Sequence, residues 1–350
     1  MSEEIKIADI LIGKYQKPFI VAEMSGNHNQ SMDRAFRIVE EAAKAGVNAI
    51  KLQTYTPNTI TMKGAHRIVH DNPLWNGKEL YDLYKDAYTP WEWHEPIFKK
   101  ATEMGLICFS SPFDETAVDL LETLNAPVYK IASFENTHHP LLKKVAQTGK
   151  PVIMSTGVSA IADIDESMRV LRNNGCKEII LLKCTSTYPA TPENTNLRTI
   201  SHMKDLYKCP IGLSDHTMGI GASVAAIAFG AVLIEKHFTL SRADGGVDAA
   251  FSMEPEEMKN LVVETERAWQ ALGEIRYGVQ EAEKGSKLYK RSIYISKDLK
   301  AGDILTESNI RVIRPGNGLL PKFYEIVLGK KINTDVKAGT PLEWSHLLLQ

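Results

Sequence analysis

Two histidines carry the clearest chemical signal in this chain. His216 closes the run Pro210-Ile211-Gly212-Leu213-Ser214-Asp215-His216, and His237 closes Leu233-Ile234-Glu235-Lys236-His237. Each run reads as a short buried strand, with a glycine-bearing helical pattern from Gly219 to Gly230 between them. Parallel neighbours of this kind bring both imidazoles out at one end of a sheet, as either a metal site or an acid/base pair. Imidazole ligands suit divalent transition ions such as manganese or zinc, with substrate and water in the open positions. An ion so held acts as a Lewis acid on a carbonyl oxygen.

Other apolar runs also end on polar groups. They carry Glu23; Lys51 and Gln53; Ser110 and Ser111; Lys130, Ser133 and Glu135; Ser155 and Thr156; Lys183; and Glu235. Such groups are expensive at strand ends unless they act. A single lysine inside an apolar strand is explained by a buried ion pair, whereas several aimed at one cavity make an anion site. Lys51 and Lys130, with the hydroxyls of Ser111, Ser133, Ser155 and Ser214, suit a small, highly charged phosphate ester. The GxxxxGK[ST] pattern is absent, so a nucleotide is not implied. Glu23 and Glu135 are acid/base candidates, which burial and neighbouring lysines tune in opposite directions. His28, just after the first run, is a further candidate to face the site. His66, His70, His138 and His139 read as loop or surface residues.

The elements that must position these groups repeat along the chain. Apolar runs occur at 18–23, 49–54, 107–111, 128–133, 152–157, 179–184, 211–214 and 232–237. Most are continuous, as in parallel strands covered on both faces. Helical periodicity fills 34–45, 116–124, 141–146, 164–171, 222–229 and 254–272. Alternating strand and helix in roughly 270 residues predicts a (β/α)8 TIM barrel. A doubly wound sheet is the runner-up, and it lacks a glycine-rich dinucleotide turn after the first strand. The connection 55–106 is about twice as long as a loop plus helix needs. Its aromatics Trp75, Tyr81, Tyr84, Tyr88, Trp91 and Trp93 either shape a site mouth or pack at helical spacing, as Leu80, Leu83, Tyr84, Ala87 and Tyr88 suggest. We expect the barrel over 1–275, a linker over 276–290 and a small β-rich module over 291–350.

Composition narrows the function classes. The net charge of −2 gives no electrostatic case for nucleic acid or acidic membranes. No apolar run approaches the roughly 18 residues of a membrane span, and the acidic start is not a signal peptide. Cys108, Cys176, Cys184 and Cys209 form no CxxC pair and read as buried reduced thiols of a cytoplasmic protein.

Several motifs then line up in order. They are Ala22-Glu23-Met24-Ser25-Gly26-Asn27-His28, Lys51-Leu52-Gln53, Tyr129-Lys130-Ile131-Ala132-Ser133-Phe134-Glu135, Ser155-Thr156-Gly157, Ser186-Thr187-Tyr188-Pro189, and the two histidine runs. Together they resemble the sialic acid synthase family. The tail, with Leu299-Lys300-Ala301-Gly302-Asp303 and Arg314-Pro315-Gly316-Asn317-Gly318, resembles that family's antifreeze-like (SAF) domain. The insert around Trp75, and Asn29 after the Asn-His pair, look like the family's pseudaminic acid branch.

The resemblance implies condensation of phosphoenolpyruvate with 2,4-diacetamido-2,4,6-trideoxy-L-altrose to a nine-carbon 2-keto acid and phosphate, with C–O cleavage. It implies that His216 and His237 hold a divalent metal, first of all Mn2+, with Mg2+ or Co2+ as alternatives. Lys51, Ser111, Lys130, Ser133, Ser155 and Ser214 match phosphoenolpyruvate positions. Glu23 matches a carboxylate that activates water, and Glu135 one that contacts the sugar and moves protons. Gln53, Tyr188 and Asp248 match sugar contacts. Arg314 matches an arginine delivered into a partner's barrel, which implies a domain-swapped homodimer. The sugar-binding asparagine of neuraminate synthases falls in a loop that is remodelled here around Asn72 and Asn76. The alternatives are an N-acetylneuraminate or legionaminate synthase, a Schiff-base aldolase using Lys183 or Lys130, and a non-catalytic carbohydrate- or ice-binding protein.

Overall fold

An antiparallel hairpin, β1 (Glu4–Ile7) and β2 (Ile10–Gly13), precedes the first of the apolar runs. The sequence reading did not anticipate it, because strands of four residues are too short for periodicity to register. Its Ile5, Ile7 and Ile12 are buried in one cluster with Phe19, Val21, Phe109, Ile153 and Ile180, the inward side chains at the strand starts.

The apolar runs form parallel strands: β3 (Phe19–Glu23), β4 (Ala49–Thr54), β5 (Ile107–Pro112), β6 (Tyr129–Ile131), β7 (Val152–Ser155), β8 (Ile179–Cys184), β9 (Ile211–Ser214) and β10 (Leu233–His237). They close in chain order into a barrel, with β10 pairing back to β3. This is the (β/α)8 architecture expected. The computed structural model describes residues 3–68 and 75–348; His70 and Asn72 lie outside the described residues.

Helices follow the strands, and their apolar stripes pack on the outer strand faces. The helix Met32–Ala45 shows why the chain starts and stops where it does. The Ser31 hydroxyl accepts from the Arg34 N–H at 3.3 Å, and Gly46 ends the helix at φ 84°, where a Cβ would be strained. Helices His94–Glu103 and Arg198–Tyr207 were not anticipated. In the first, only His94, Ile97 and Ala101 are buried, so its apolar stripe is thin.

The long connection folds into the short helix Pro57–Ile60, the helix Leu80–Ala87 and then His94–Glu103. Most of its aromatics pack locally. Tyr84 meets Tyr55 edge-on at 5.5 Å, the Trp91 indole N–H donates to the Tyr55 carbonyl at 3.3 Å, and Trp93 meets His28 at 5.5 Å. Trp75 instead reaches the barrel mouth, described below.

The chain divides into two compact units, Met1–Gly273 and Glu274–Gln350. The segment expected as a linker over 276–290 clusters with the second unit. It carries single turns at Glu281–Glu283 and Gly285–Tyr289, and the Gly316 N–H donates to the Leu288 carbonyl at 3.1 Å. The second unit pairs β11 (Ser292–Ile295) with β12 (Ile310–Ile313) antiparallel. Its own core holds Ile293, Ile295, Leu305, Ile310, Ile332 and Leu342.

Candidate active site

Strand parity decides which side chains enter the barrel, because successive residues point to opposite faces. Ile50 and Leu52 pack outward, so Lys51 and Gln53 point inward; Tyr129 and Ile131 pack outward, so Lys130 points inward. Likewise Ser214 and His216 share one side of their strand, and Glu235 and His237 share one side of theirs. Two inward layers result. The lower holds Lys51, Lys130, Ser214 and Glu235. Gln53, His216 and His237 stand one two-residue step, about 6.6 Å, further along the same strands.

The lower layer is a buried, charge-paired cluster. The Lys51 ammonium pairs with the Glu23 carboxylate, stands 3.9 Å from Glu235 Oε2 and donates to Ser111 Oγ at 3.3 Å. Lys130 Nζ donates to Ser155 Oγ at 2.7 Å and faces Glu235 Oε1 at 3.5 Å. The Ser214 hydroxyl donates to Glu235 Oε1 at 3.1 Å. Ser133 Oγ accepts the Gly157 N–H at 3.1 Å, and a Cβ at Gly157 would lie 2.7 Å from that oxygen, so a side chain there would push the Ser133 hydroxyl aside. Every one of these polar residues is buried.

Burial and neighbouring charge set the protonation states. Burial, helped by Glu235, pushes the Glu23 carboxyl up to about 6, although Lys51 pulls it down. Burial would lower Lys51, but the Glu23 and Glu235 carboxylates outweigh it and hold the ammonium above its usual value. Burial lowers Lys130 despite Glu235. Glu135, on a 3-10 turn over Ser133–Glu135, is raised to about 7 by burial against the pull of Lys130. Its Oε2 is buried and accepts no hydrogen bond.

In the upper layer the His216 and His237 rings lie 5.4 Å apart, centroid to centroid. His216 Nδ1 is 3.0 Å from the Thr185 carbonyl, which only accepts, so Nδ1 carries a proton. Burial would lower this imidazole, but Cys184, the Thr185 carbonyl and Glu235 outweigh it and raise it above its usual value. His237 Nδ1 is buried without a hydrogen-bond partner, 3.8 Å from Asp248 Oδ2. Burial, with His216 and the lysines, holds His237 well below the usual imidazole range, so it is neutral. An imidazole oriented by a carbonyl and a neutral one with an orphaned nitrogen fit a divalent transition ion, whose binding would displace any proton on the facing ring nitrogens. Among the described residues no group of three His, Cys, Asp or Glu side chains is arranged to hold an ion. The protein's own share would therefore be these two nitrogens.

Around the histidines the mouth is aromatic. Tyr188 lies 4.5 Å from His216 and 5.3 Å from Phe251, Phe251 lies 5.0 Å from His237, and Trp75 lies 6.0 Å from Tyr188. The Trp75 indole N–H donates to the Val247 carbonyl at 3.2 Å. Gln53 Nε2 donates to Glu23 Oε1 at 2.9 Å and to Ser25 Oγ at 3.0 Å, and Ser25 in turn bonds Asp248.

Most sequence-predicted site residues thus gather at one end of the barrel: Glu23, Lys51, Gln53, Ser111, Lys130, Ser133, Glu135, Ser155, Tyr188, Ser214, His216, His237 and Asp248. Arg314 belongs to the second unit, exposed in the loop after β12. His28 does not face the site. It is buried behind it, with Nε2 3.2 Å from Thr89 Oγ1 and Nδ1 accepting the Gln30 N–H at 3.2 Å. Lys183 shares its strand side with Leu181, which packs outward, and it bonds the Thr185 hydroxyl. Parity therefore removes it from the cavity. Glu235, noted at a strand end but given no role, stands between the two lysines; residues missed as participants include Ser25, Phe251 and Cys184, whose sulfur lies 3.9 Å from His216 Nδ1. For Glu235 the signal was present: two residues before an inward histidine is also inward.

Residues 38–277 match the NeuB family and residues 290–348 match the SAF domain. The chain is 39% identical over 329 residues to a pseudaminic acid synthase of Campylobacter jejuni, covering 94% of this chain and 96% of that one. It is 40% identical over 330 residues to a pseudaminic acid synthase of Helicobacter pylori, covering 93% and 97%. A crystal structure of an N-acetylneuraminic acid synthetase from Leptospira borgpetersenii, in complex with citrate, superposes with a TM-score of 0.74 at 33% identity, covering 82% of this chain and 95% of that one.

Proposed function

This chain belongs to the NeuB family, and from that premise we propose that it is a pseudaminic acid synthase. It condenses phosphoenolpyruvate with 2,4-diacetamido-2,4,6-trideoxy-L-altrose to give pseudaminic acid and phosphate. The observation that carries this reading is the stacking of two layers: a buried lysine-hydroxyl cluster directly beneath a pair of imidazoles.

Lys51 and Lys130 neutralise the charges of phosphoenolpyruvate, and Ser111, Ser133, Ser155 and Ser214 hydrogen-bond its oxygens. That seats its C3 below the histidines, where the aldehyde of the open-chain sugar lies. His216 and His237 would hold a divalent ion, Mn2+ before Mg2+ or Co2+, whose contribution when bound is Lewis-acid polarisation of the aldehyde oxygen. C3 bonds to the aldehyde carbon while Glu135 protonates the aldehyde oxygen. Water adds to C2 and gives its proton to Glu23, which Gln53 holds in place. Collapse of the tetrahedral centre breaks the C–O bond, forms the 2-keto group and releases phosphate. Gln53, Tyr188 and Asp248 contact the sugar.

In this reading the enzyme is a homodimer of the cytoplasm, where phosphoenolpyruvate is made, and Arg314 reaches the partner's barrel. Mixing Arg314→Ala with His237→Ala protein tests the exchange: activity recovered in mixed dimers supports it, and none recovered counts against it. The function itself is tested by phosphate release from phosphoenolpyruvate with a panel of acetamido sugars, with and without Mn2+. At least a tenfold preference for the 6-deoxy diacetamido altrose is expected. A preference for the neuraminate or legionaminate precursor transfers the assignment to that sugar. A borohydride-trapped adduct on Lys130 would replace the mechanism with an aldolase.

A further inference from the structure

Parity sends Asp215 and Lys236, the residues just before the two histidines, to the outer face of the barrel. There they meet. Lys236 Nζ donates to Asp215 Oδ2 at 3.0 Å, to the Thr217 carbonyl at 2.6 Å and to the Gly219 carbonyl at 3.0 Å. Asp215 also accepts from the Thr217 N–H at 2.9 Å, the Thr217 hydroxyl at 2.8 Å and the Ser223 hydroxyl at 2.6 Å. Both residues are 2% exposed. A lysine has three donors, and all three are used. This is a charge pair fully removed from water and fully satisfied, the one geometry in which such a pair is rigid.

Its position gives it a task. The paired register of β9 and β10 ends at Ser214 opposite Glu235, and the Asp215 N–H donates to the Glu235 carbonyl at 2.9 Å. Beyond that point the two histidine backbones turn to different partners. The His216 carbonyl accepts from Ala190 N–H at 3.0 Å, and the His237 carbonyl accepts from Met253 N–H at 2.8 Å. The side-chain pair therefore continues the strand coupling one residue past the ladder, at the level from which both imidazoles project. The same lysine fastens the turn 217–219 that leads away from His216.

We propose that Asp215 and Lys236 are positioning residues whose outer-face ion pair fixes the separation and aim of His216 and His237. They touch neither substrate nor ion. This rests on the assignment of His216 and His237 as the metal-holding pair. Its observable content is that loss of the pair loosens the imidazoles while the lysine-hydroxyl layer below keeps its shape.

The test uses the full chain carrying Asp215→Asn with Lys236→Met, which removes both charges and leaves neither orphaned. Two readouts are taken. The first is Mn2+ binding to substrate-free protein, followed by electron paramagnetic resonance. The second is the 15N spectrum of histidine-labelled, metal-free protein. We expect at least tenfold weaker Mn2+ binding, and exchange-broadened or doubled His216 and His237 signals. Phosphoenolpyruvate affinity in chelator should stay within twofold of the parent, which a general loss of structure would not spare. A folded double variant with parental Mn2+ affinity and sharp histidine signals overturns the proposal. Should the double variant not fold, Ser223→Ala removes one bond from Asp215, and its Mn2+ affinity should fall two- to threefold; parental affinity there also overturns it. If the parent protein itself binds no Mn2+, the metal assignment falls, and the histidine spectrum alone decides whether the pair positions the rings.

Discussion

Glu235 stands between two lysine ammoniums, 3.5 Å from Lys130 and 3.9 Å from Lys51, at the centre of the layer assigned to an anionic substrate. The protein thus keeps a carboxylate of its own among the charges that would receive phosphoenolpyruvate. Glu235→Gln keeps the shape and removes the counter-charge, leaving Lys130 buried without an anion. Breaking such a pair costs about 3 kcal/mol or more. Denaturant unfolding of the substrate-free variant should show that loss. Phosphoenolpyruvate, which restores the missing negative charge, should raise the melting temperature of the variant more than that of the parent. Equal ligand-induced shifts would show that Glu235 does not shape the anion site.

The two carboxyls given catalytic roles in the proposed reaction make opposite demands on pH. Glu23, raised to about 6, works ionised, so kcat/KM should rise as pH increases through that value. Glu135, raised to about 7, works protonated, so the rate should fall as pH increases further. Glu135→Gln should lower the rate by about 10² to 10⁴ and abolish the falling limb. A falling limb that survives the substitution belongs to another group.

Chelation should abolish turnover, and added Mn2+ should restore it. His237→Ala should weaken Mn2+ binding at least tenfold, about the smallest loss seen even for substitutions outside the ligand set. Calorimetric titration with Mn2+ measures this without turnover, and unchanged affinity would move the ion elsewhere.

Trp75 is the one described aromatic of the insert that reaches the Tyr188 ring, at 6.0 Å. An apolar wall there suits the C6 methyl of a 6-deoxy sugar and disfavours a hydroxymethyl, which is harder to desolvate. Trp75→Ala should raise KM for the 6-deoxy sugar about tenfold and leave that for phosphoenolpyruvate unchanged. Steady-state kinetics with both substrates varied would expose the contrary result.

The barrel was legible because its strands are continuous apolar runs, and Lys51, Lys130 and the histidines stood out as polar exceptions within them. The hairpin of Ile5, Ile7 and Ile12 was not, since four-residue strands carry no measurable period. His28 misled because adjacency in sequence to Glu23 says nothing of the turn between them. That turn places Ser25 at φ 46° and swings the imidazole toward Thr89. The roles of Glu235, Asp215 and Lys236 were hidden for a different reason. They emerge only when strand parity is counted from His216 and His237, and a reading by residue type alone does not do that.

The isoleucines of that hairpin stopper the strand starts, which leaves the lysine layer to be reached past the histidines. Whatever binds in the lysine layer must enter before the sugar covers it, and whatever is cleaved there must leave after the sugar acid has gone. Turnover should therefore be sequential and ordered. Inorganic phosphate should compete with phosphoenolpyruvate for the empty enzyme, and the nine-carbon acid should not.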